Sequence, residues 1–422
     1  MLTPQLYFGS LSNINAAAAN GARATIGLTA VAPEDTTPHV YSFNLGVQRN
    51  VGYGIVLDVA YVGSLGRNLQ EVINLNAVPY GATFKASSQN PALYPNGVVP
   101  AVQVGIGPLY TAAGLSFNGV NALPQDYLRP YTGYGDINYR NNGASSNYNS
   151  LQVSVNRHLS KGLVLGAAYT YSKNLLTNNT DTDSVNPFNT RKYEYRLAGS
   201  DQKHNLVLSY VFDLPGISAH FGNRYLAKAV FDGWQISGVS IFRTGTPAEL
   251  SPSIAGVNAG QVLTGSYTFG PLFNVVGNPL SGNSSVPGDR INPGAVVLTN
   301  PGNLGPWSRT YYRNPGTNNS DLSVFKNFRV SGDRRKYLQL RLEAFNVFNH
   351  TQFSGYNTST NITTAAGATG VAVLGVSDFS TLSITNNLRP AAGSTKVLGS
   401  FFGEYSATRE QRIVQLAAKF YF

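Results

Sequence analysis

Polar and apolar positions trade places residue by residue along much of this chain, and its last stretch, Gln411 to Phe422, does so most cleanly. Val414, Leu416, Ala418, Phe420 and Phe422 share one parity and are apolar; Gln415, Ala417, Lys419 and Tyr421 share the other, which is mixed and partly charged. Successive strand side chains point to opposite faces, so the stretch is predicted to be a strand with one apolar and one wettable face. Upstream, Phe43, Leu45 and Val47 alternate with Asn44, Gly46 and Gln48 up to Arg49. After a turn at 50–54, Ile55, Leu57, Val59 and Tyr61 alternate with Val56, Asp58, Ala60 and Val62, which makes a tight hairpin.

The same hairpin recurs later in the chain. Ser150-Leu-Gln-Val-Ser-Val-Asn-Arg157 matches Ser42-Phe-Asn-Leu-Gly-Val-Gln-Arg49, and Gly162 and Tyr169 follow at the spacing of Gly54 and Tyr61. Further strands are predicted at His204–Asp213, Gly233–Arg243, Ser320–Val330 and Tyr337–Phe348, which with the terminal one makes nine. Lys326 interrupts the apolar face of its strand, and a bulge is expected to repair it.

The connections carry as much information as the strands. Those at 50–54, 159–162, 214–232 and 331–336 are short or moderate, whereas 66–146, 174–202, 245–319 and 349–409 are long and rich in Gly, Asn, Ser, Thr and Pro. Short and long alternate strictly, which is how outer-membrane barrels separate periplasmic turns from outer loops. Aromatics near strand ends, such as Tyr41, Tyr61, Trp234, Phe242 and Phe422, fit the two interfacial girdles. Residues 1–37 show no periodicity and read as an irregular outer-loop segment; 38–422 read as one all-β, antiparallel, up-and-down transmembrane barrel portion.

Composition sharpens this picture. Charged residues are 12% of the chain, about half the usual share of a soluble protein. No apolar run approaches the ~18 residues of a membrane helix. With no cysteine, disulfides and thiolate chemistry are out of reach. The net charge of +10 is scattered singly over loops and strand ends, so nucleic acid is not an expected partner, and contact with anionic lipid headgroups or anionic solutes explains the charge. The first residues, Met1-Leu-Thr-Pro-Gln-Leu-Tyr-Phe8, lack the features of a secretory signal, so the chain is expected to be processed or incomplete.

Several segments, in order, look like something specific: Tyr169-Thr-Tyr-Ser-Lys173, Gly233-Trp-Gln-Ile-Ser-Gly238, Asp321-Leu-Ser-Val-Phe-Lys-Asn-Phe328, Glu343-Ala-Phe-Asn-Val-Phe-Asn-His-Thr-Gln-Phe353 and the terminal Arg412–Phe422. Together they resemble the C-terminal part of TonB-dependent outer-membrane receptors, in particular the Oar-like group. The resemblance implies a larger barrel, a plug inside it, and partners that this sequence does not display, namely the TonB complex and the remaining barrel and plug. It implies uptake of a large or scarce solute across the outer membrane of a Gram-negative-type cell. It also implies that Leu416, Ala418, Phe420 and Phe422 form the signal read by the barrel-assembly machinery. The alternative is a surface-exposed structural or adhesive barrel that binds a partner without transport.

No enzyme is expected. His39, His158, His204, His220 and His350 stand apart from one another, and none forms a zinc-binding spacing. Asp181-Thr-Asp183-Ser lacks the glycine and glutamate of a calcium loop, so no metal or cofactor is expected there. Asn44, Gln48, Asp58, Gln152, Asn156, Gln339, Arg341, Glu343, Gln415 and Lys419 are expected to wet a barrel interior or to bind a plug.

Overall fold

The computed structural model describes residues 25–33, 36–160, 162–188, 194–221, 225–281, 291–305, 312–329, 336–358, 362–363, 373–374, 383–384 and 403–422. Nine strands follow one another in both chain and space: β1 His39–Gly52, β2 Ile55–Asn74, β3 Tyr134–Ser160, β4 Leu163–Leu176, β5 His204–Asp213, β6 Trp234–Arg243, β7 Thr317–Arg329, β8 Tyr337–Phe345 and β9 Ile413–Tyr421. Each pairs antiparallel with the next, so the sheet is an up-and-down meander. The β1–β2 turn is tight because Tyr53 and Gly54 both take positive φ, 54° and 72°, which matches the twist of the flanking strands. All nine strands stand where the alternation predicts them.

Register makes the two faces continuous. Leu45 faces Tyr61, Tyr61 faces Leu151, and Leu151 faces Tyr171. Farther along, Ile236 faces Val324, Val324 faces Leu342 and Leu342 faces Leu416. A mainly apolar surface therefore crosses the sheet, interrupted at His204, at the Ser240–Ser320 pair and at Lys326, and the other face is mainly polar. Among the described residues, β1 and β9 are edges that do not pair with each other.

Three features depart from the sequence reading. First, β2 and β3 run well past their expected ends at Val62 and Ser150, and pair on up to Asn74 and Asn138 with register shifts after Gly66 and Leu69. This hairpin takes over much of the connection expected at 66–146. Its upper part, such as Arg140-Asn-Asn-Gly-Ala-Ser-Ser-Asn147, is polar on both faces, so alternation cannot reveal it. Second, Ile26–Val31, inside the segment read as irregular, is a strand that pairs in parallel with Tyr134–Arg140. Its six residues are small or short-patterned and all exposed, so its sequence carries little signal. Residues 1–24 lie outside the described part. Third, β7 pairs with β6 and β8 without any register shift at Lys326, so no bulge forms. Lys326 stays on the apolar face and is sheltered there by a short helix, Tyr225–Phe231, in the β5–β6 turn.

The hydrophobic core sits in the long loops. Phe84 and Tyr110 come from the β2–β3 connection, Leu250, Val262, Leu263, Phe273 and Val296 from β6–β7, and Ile362, Val373 and Leu374 from β8–β9. Gly265 (φ 75°) lets two of these connections touch: a Cβ there would lie 2.5 Å from the Gly81 Cα. Backbone bonds from Gly81 N to Thr264 O (2.9 Å) and from Thr83 N to Gly265 O (3.1 Å) close the contact.

Candidate functional site

Two parts of the molecule are candidates: the polar face of the sheet and the loops that fold together through their own core. The ten polar residues singled out in the sequence share the polar face by register. Gln48 stands opposite Asp58, Gln339 opposite Lys419, and Glu343 opposite Gln415, whose amide donates to the Glu343 carboxylate. Asn327, Gln339, Arg341 and Tyr421 form a chain across three strands. The Gln339 amide donates to Asn327 Oδ1 (2.9 Å), and Arg341 Nε donates to Gln339 Oε1 (2.6 Å). Arg341 Nη2 reaches the Tyr421 hydroxyl at 3.1 Å. Such a surface offers neutral donors and acceptors with a few charges, suited to water and to polar solutes or protein.

The loops form a cap joined by specific contacts. The fourth long connection, between β4 and β5, joins through polar groups. Asp201 has a fully buried side chain (0% exposed) and accepts from Arg313 Nη2 at 2.5 Å and from the Asn174 amide at 2.6 Å. Arg196 pairs with Glu194 at 2.5 Å and with Glu249 at 3.1 Å, which again links this connection to the β6–β7 one. The Asn186 amide donates to the Tyr80 hydroxyl, and the Phe188 ring lies against Tyr80 and Phe269 at 5.4 and 6.0 Å. Burial of an ion pair costs desolvation that only good geometry offsets, so these contacts specify one arrangement of the loops.

Four tyrosines of the cap titrate abnormally because they are buried. Burial raises the phenol of Tyr267 from 10.0 to about 12, and raises those of Tyr94, Tyr110 and Tyr312 as well. The Tyr110 hydroxyl donates to Val262 O at 2.6 Å and that of Tyr267 to Leu123 O at 3.0 Å. An unfolded cap would release these protons near pH 10, whereas the folded cap retains them. Above pH 10 the unfolded state binds fewer protons, so stability falls with rising pH. Cap stability is expected to be at its full value below pH 10 and to decline progressively toward pH 12. Tyrosinate absorbance and loop proteolysis, followed together, check this; tyrosines that ionise near 10 with the loops still protected would contradict it.

Beside the top of β7 lies a cavity of about 330 Å³ lined by Pro315, His350, Gln352, Phe353, Tyr356 and Tyr405 among others. Phe353 and Tyr405 stack at 3.6 Å, Tyr356 lies 5.3 Å from Tyr405, and Gln352 Nε2 approaches His350 Nδ1 at 2.7 Å. Sequence reasoning missed this aromatic group. The signal was faint, because the two paired segments, Phe353–Tyr356 and Tyr405–Thr408, are four residues long and shift register around Gly355.

The four residues implied in assembly lie in and just after β9, which among the described residues pairs only with β8. Leu416, Ala418 and Phe420 project onto the apolar face from β9, opposite Leu342, Leu340 and Leu338. Leu416 is 81% and Phe422 93% exposed, and the rings of Phe420 and Phe422 stack at 6.2 Å. The Asp181-Thr-Asp183 stretch closes on itself: the Asp183 carboxylate accepts from the amides of Asn179 (2.9 Å) and Thr180 (3.2 Å) and from the Thr180 hydroxyl (2.7 Å). His39 and His350 lie in separate places, one at the start of β1 and the other beyond β8.

With this geometry in view, a family described as Outer membrane beta barrel domain matches residues 3–415. No curated protein matches the chain. Among solved structures, the chain is similar to the outer membrane transporter YddB from Escherichia coli, at 10% identity and a TM-score of 0.40 over 82% of this chain and 33% of that one. It is also similar to a chain of the FpvAI–pyocin S2 complex, at 8% identity and a TM-score of 0.30 over 77% of this chain and 24% of that one. The chain thus spans about a third and about a quarter of the length of these two.

Proposed function

The chain belongs to the outer membrane beta barrel domain family and resides in the outer membrane, and on that premise we propose that it supplies the wall and outer loops of a TonB-dependent receptor of the Oar-like group. The observation that carries this reading is the pairing of a mainly apolar face with a polar one, under loops that fold into a single cap. In lipid the apolar face meets acyl chains, and the polar residues from Asn44 to Lys419 line an interior. A sheet edge in lipid leaves backbone groups unsatisfied at several kcal/mol each. Among the described residues β1 pairs only with β2 and β9 only with β8, which supports further strands that close a larger barrel around a plug.

In this reading the cap captures a large or scarce solute, and plug movement, powered through the TonB complex, admits it. The barrel-assembly machinery reads Leu416, Ala418, Phe420 and Phe422 during insertion. The reading assigns the chain no catalysis. A second reading, a surface barrel that binds a partner and passes nothing, is favoured by the apolar core that ties three of the loops together. The first test is the intact mass of the native species in the outer-membrane fraction, detected with an antibody to the 245–319 connection. A species far above 45.1 kDa supports the receptor. A folded, heat-modifiable species at 45.1 kDa means a small self-closed barrel and moves function to the cap alone.

A further inference from the structure

The lysine on the apolar face marks a site of its own. Lys326 is 4% exposed, and its ammonium donates to the Asp232 backbone carbonyl. The Trp234 and Phe328 rings lie on it, each 5.2 Å from Nζ, close enough for cation–π attraction. The Tyr225–Phe231 helix packs over this group, held by a bond from Trp234 Nε1 to Val230 O at 2.7 Å. Between helix and sheet runs a groove of about 390 Å³ whose floor is Val324, Leu340, Leu342 and Leu416. That floor belongs to the lipid-facing surface. The helix turns Leu226 outward (76% exposed) with Val230, and Phe221 stacks on Phe231 at 4.6 Å. Its Lys228 is exposed beside these apolar groups.

We propose that this groove binds an anionic phospholipid of the periplasmic leaflet, one acyl chain lying on the Val324–Leu416 floor and the phosphate meeting Lys326 and Lys228. Three observations converge on a lipid. The groove is continuous with the face that already contacts acyl chains. A tryptophan at a strand end is the residue type that sits at headgroup level. Lys326, though only 4% exposed, lines the groove itself, so its ammonium is a cation that a headgroup seated there would meet from inside the groove. An ammonium has three donors, of which the Asp232 carbonyl takes one. The nearby Asp232 carboxylate is engaged by the Ser218 amide (3.1 Å) and hydroxyl (2.6 Å), which draws it toward the turn. A phosphate facing two lysines and one carboxylate meets a net positive site. The inference rests on family membership and stands whether or not the barrel transports.

The sequence has two tryptophans, Trp234 and Trp307, so Trp307→Phe leaves Trp234 as the sole indole emitter. The full chain in phosphatidylcholine vesicles would be titrated with dibrominated phosphatidylglycerol or with dibrominated phosphatidylcholine. Half-maximal quenching of Trp234 is expected at about fivefold lower mole fraction of the anionic lipid, the preference that one lysine near a membrane surface confers. Lys326→Met is expected to remove that preference and Lys228→Gln to reduce it. Equal quenching by both lipids in the parent, or no quenching, would overturn the proposal, so the result does not depend on the Lys326→Met variant folding. A preference that survives in both lysine variants would overturn it as well.

Discussion

Replacing Phe422 by Ala is expected to deplete the folded, heat-modifiable form in cells far more than it weakens the purified sheet. As an anchor, one aromatic ring in lipid contributes about 2 kcal/mol. A meander of nine strands does not depend on one such contribution. If the ring acts only as an anchor, loss in cells and loss on refolding into lipid should be equal and small. If it is read during insertion, the cellular yield should fall at least about tenfold further than the yield on refolding into lipid, where the ring, 93% exposed on the sheet itself, acts only as an anchor. The measurement is the ratio of heat-modifiable protein in the outer-membrane fraction to that recovered by refolding in vesicles. Equal ratios for parent and variant would remove the assembly role.

Asp201→Ala should release the cap. The carboxylate is buried and holds Arg313 at 2.5 Å, and Arg313 Nη1 in turn donates to the Asp201 and Gly245 carbonyls at 3.2 and 3.1 Å. Removing the acid leaves a partly buried guanidinium without its counter-charge, which costs about 3–5 kcal/mol. It also frees the Asn174 amide near the end of β4. Faster hydrogen exchange is expected across 196–203 and 312–317, with β5 and β6 unchanged. Asp201→Asn keeps an acceptor and should cost less. Uniform exchange across sheet and loops would mean that cap and wall unfold together, and would contradict the division between them.

The wall was legible because lipid on one side and water on the other impose strict alternation. Phe43, Leu45 and Val47, or Val414, Leu416 and Ala418, have no freedom to break it. Where the environment is the same on both faces the signal disappears, as in the polar upper part of the β2–β3 hairpin. Lys326 misled for another reason. One charge among apolar residues suggested a bulge, but the compensation came from a helix almost a hundred residues earlier in the chain. The cap was the least legible part. Phe84, Tyr110, Val262 and Phe273 have no common period, because irregular loops bury side chains at whatever spacing the path provides. The terminal residues were placed by alternation, whereas the assembly role proposed for them rests on resemblance alone.

The loop core also sets an order of events. Its residues arrive on connections carried by different strand pairs, the last of them between β8 and β9. Contacts between segments so distant in sequence form late, since each requires the intervening chain to be placed first. No early hairpin can build that core alone. Closure of the cap therefore certifies that every strand pair has been threaded, and a barrel stalled partway through insertion would leave its loop aromatics open and sticky.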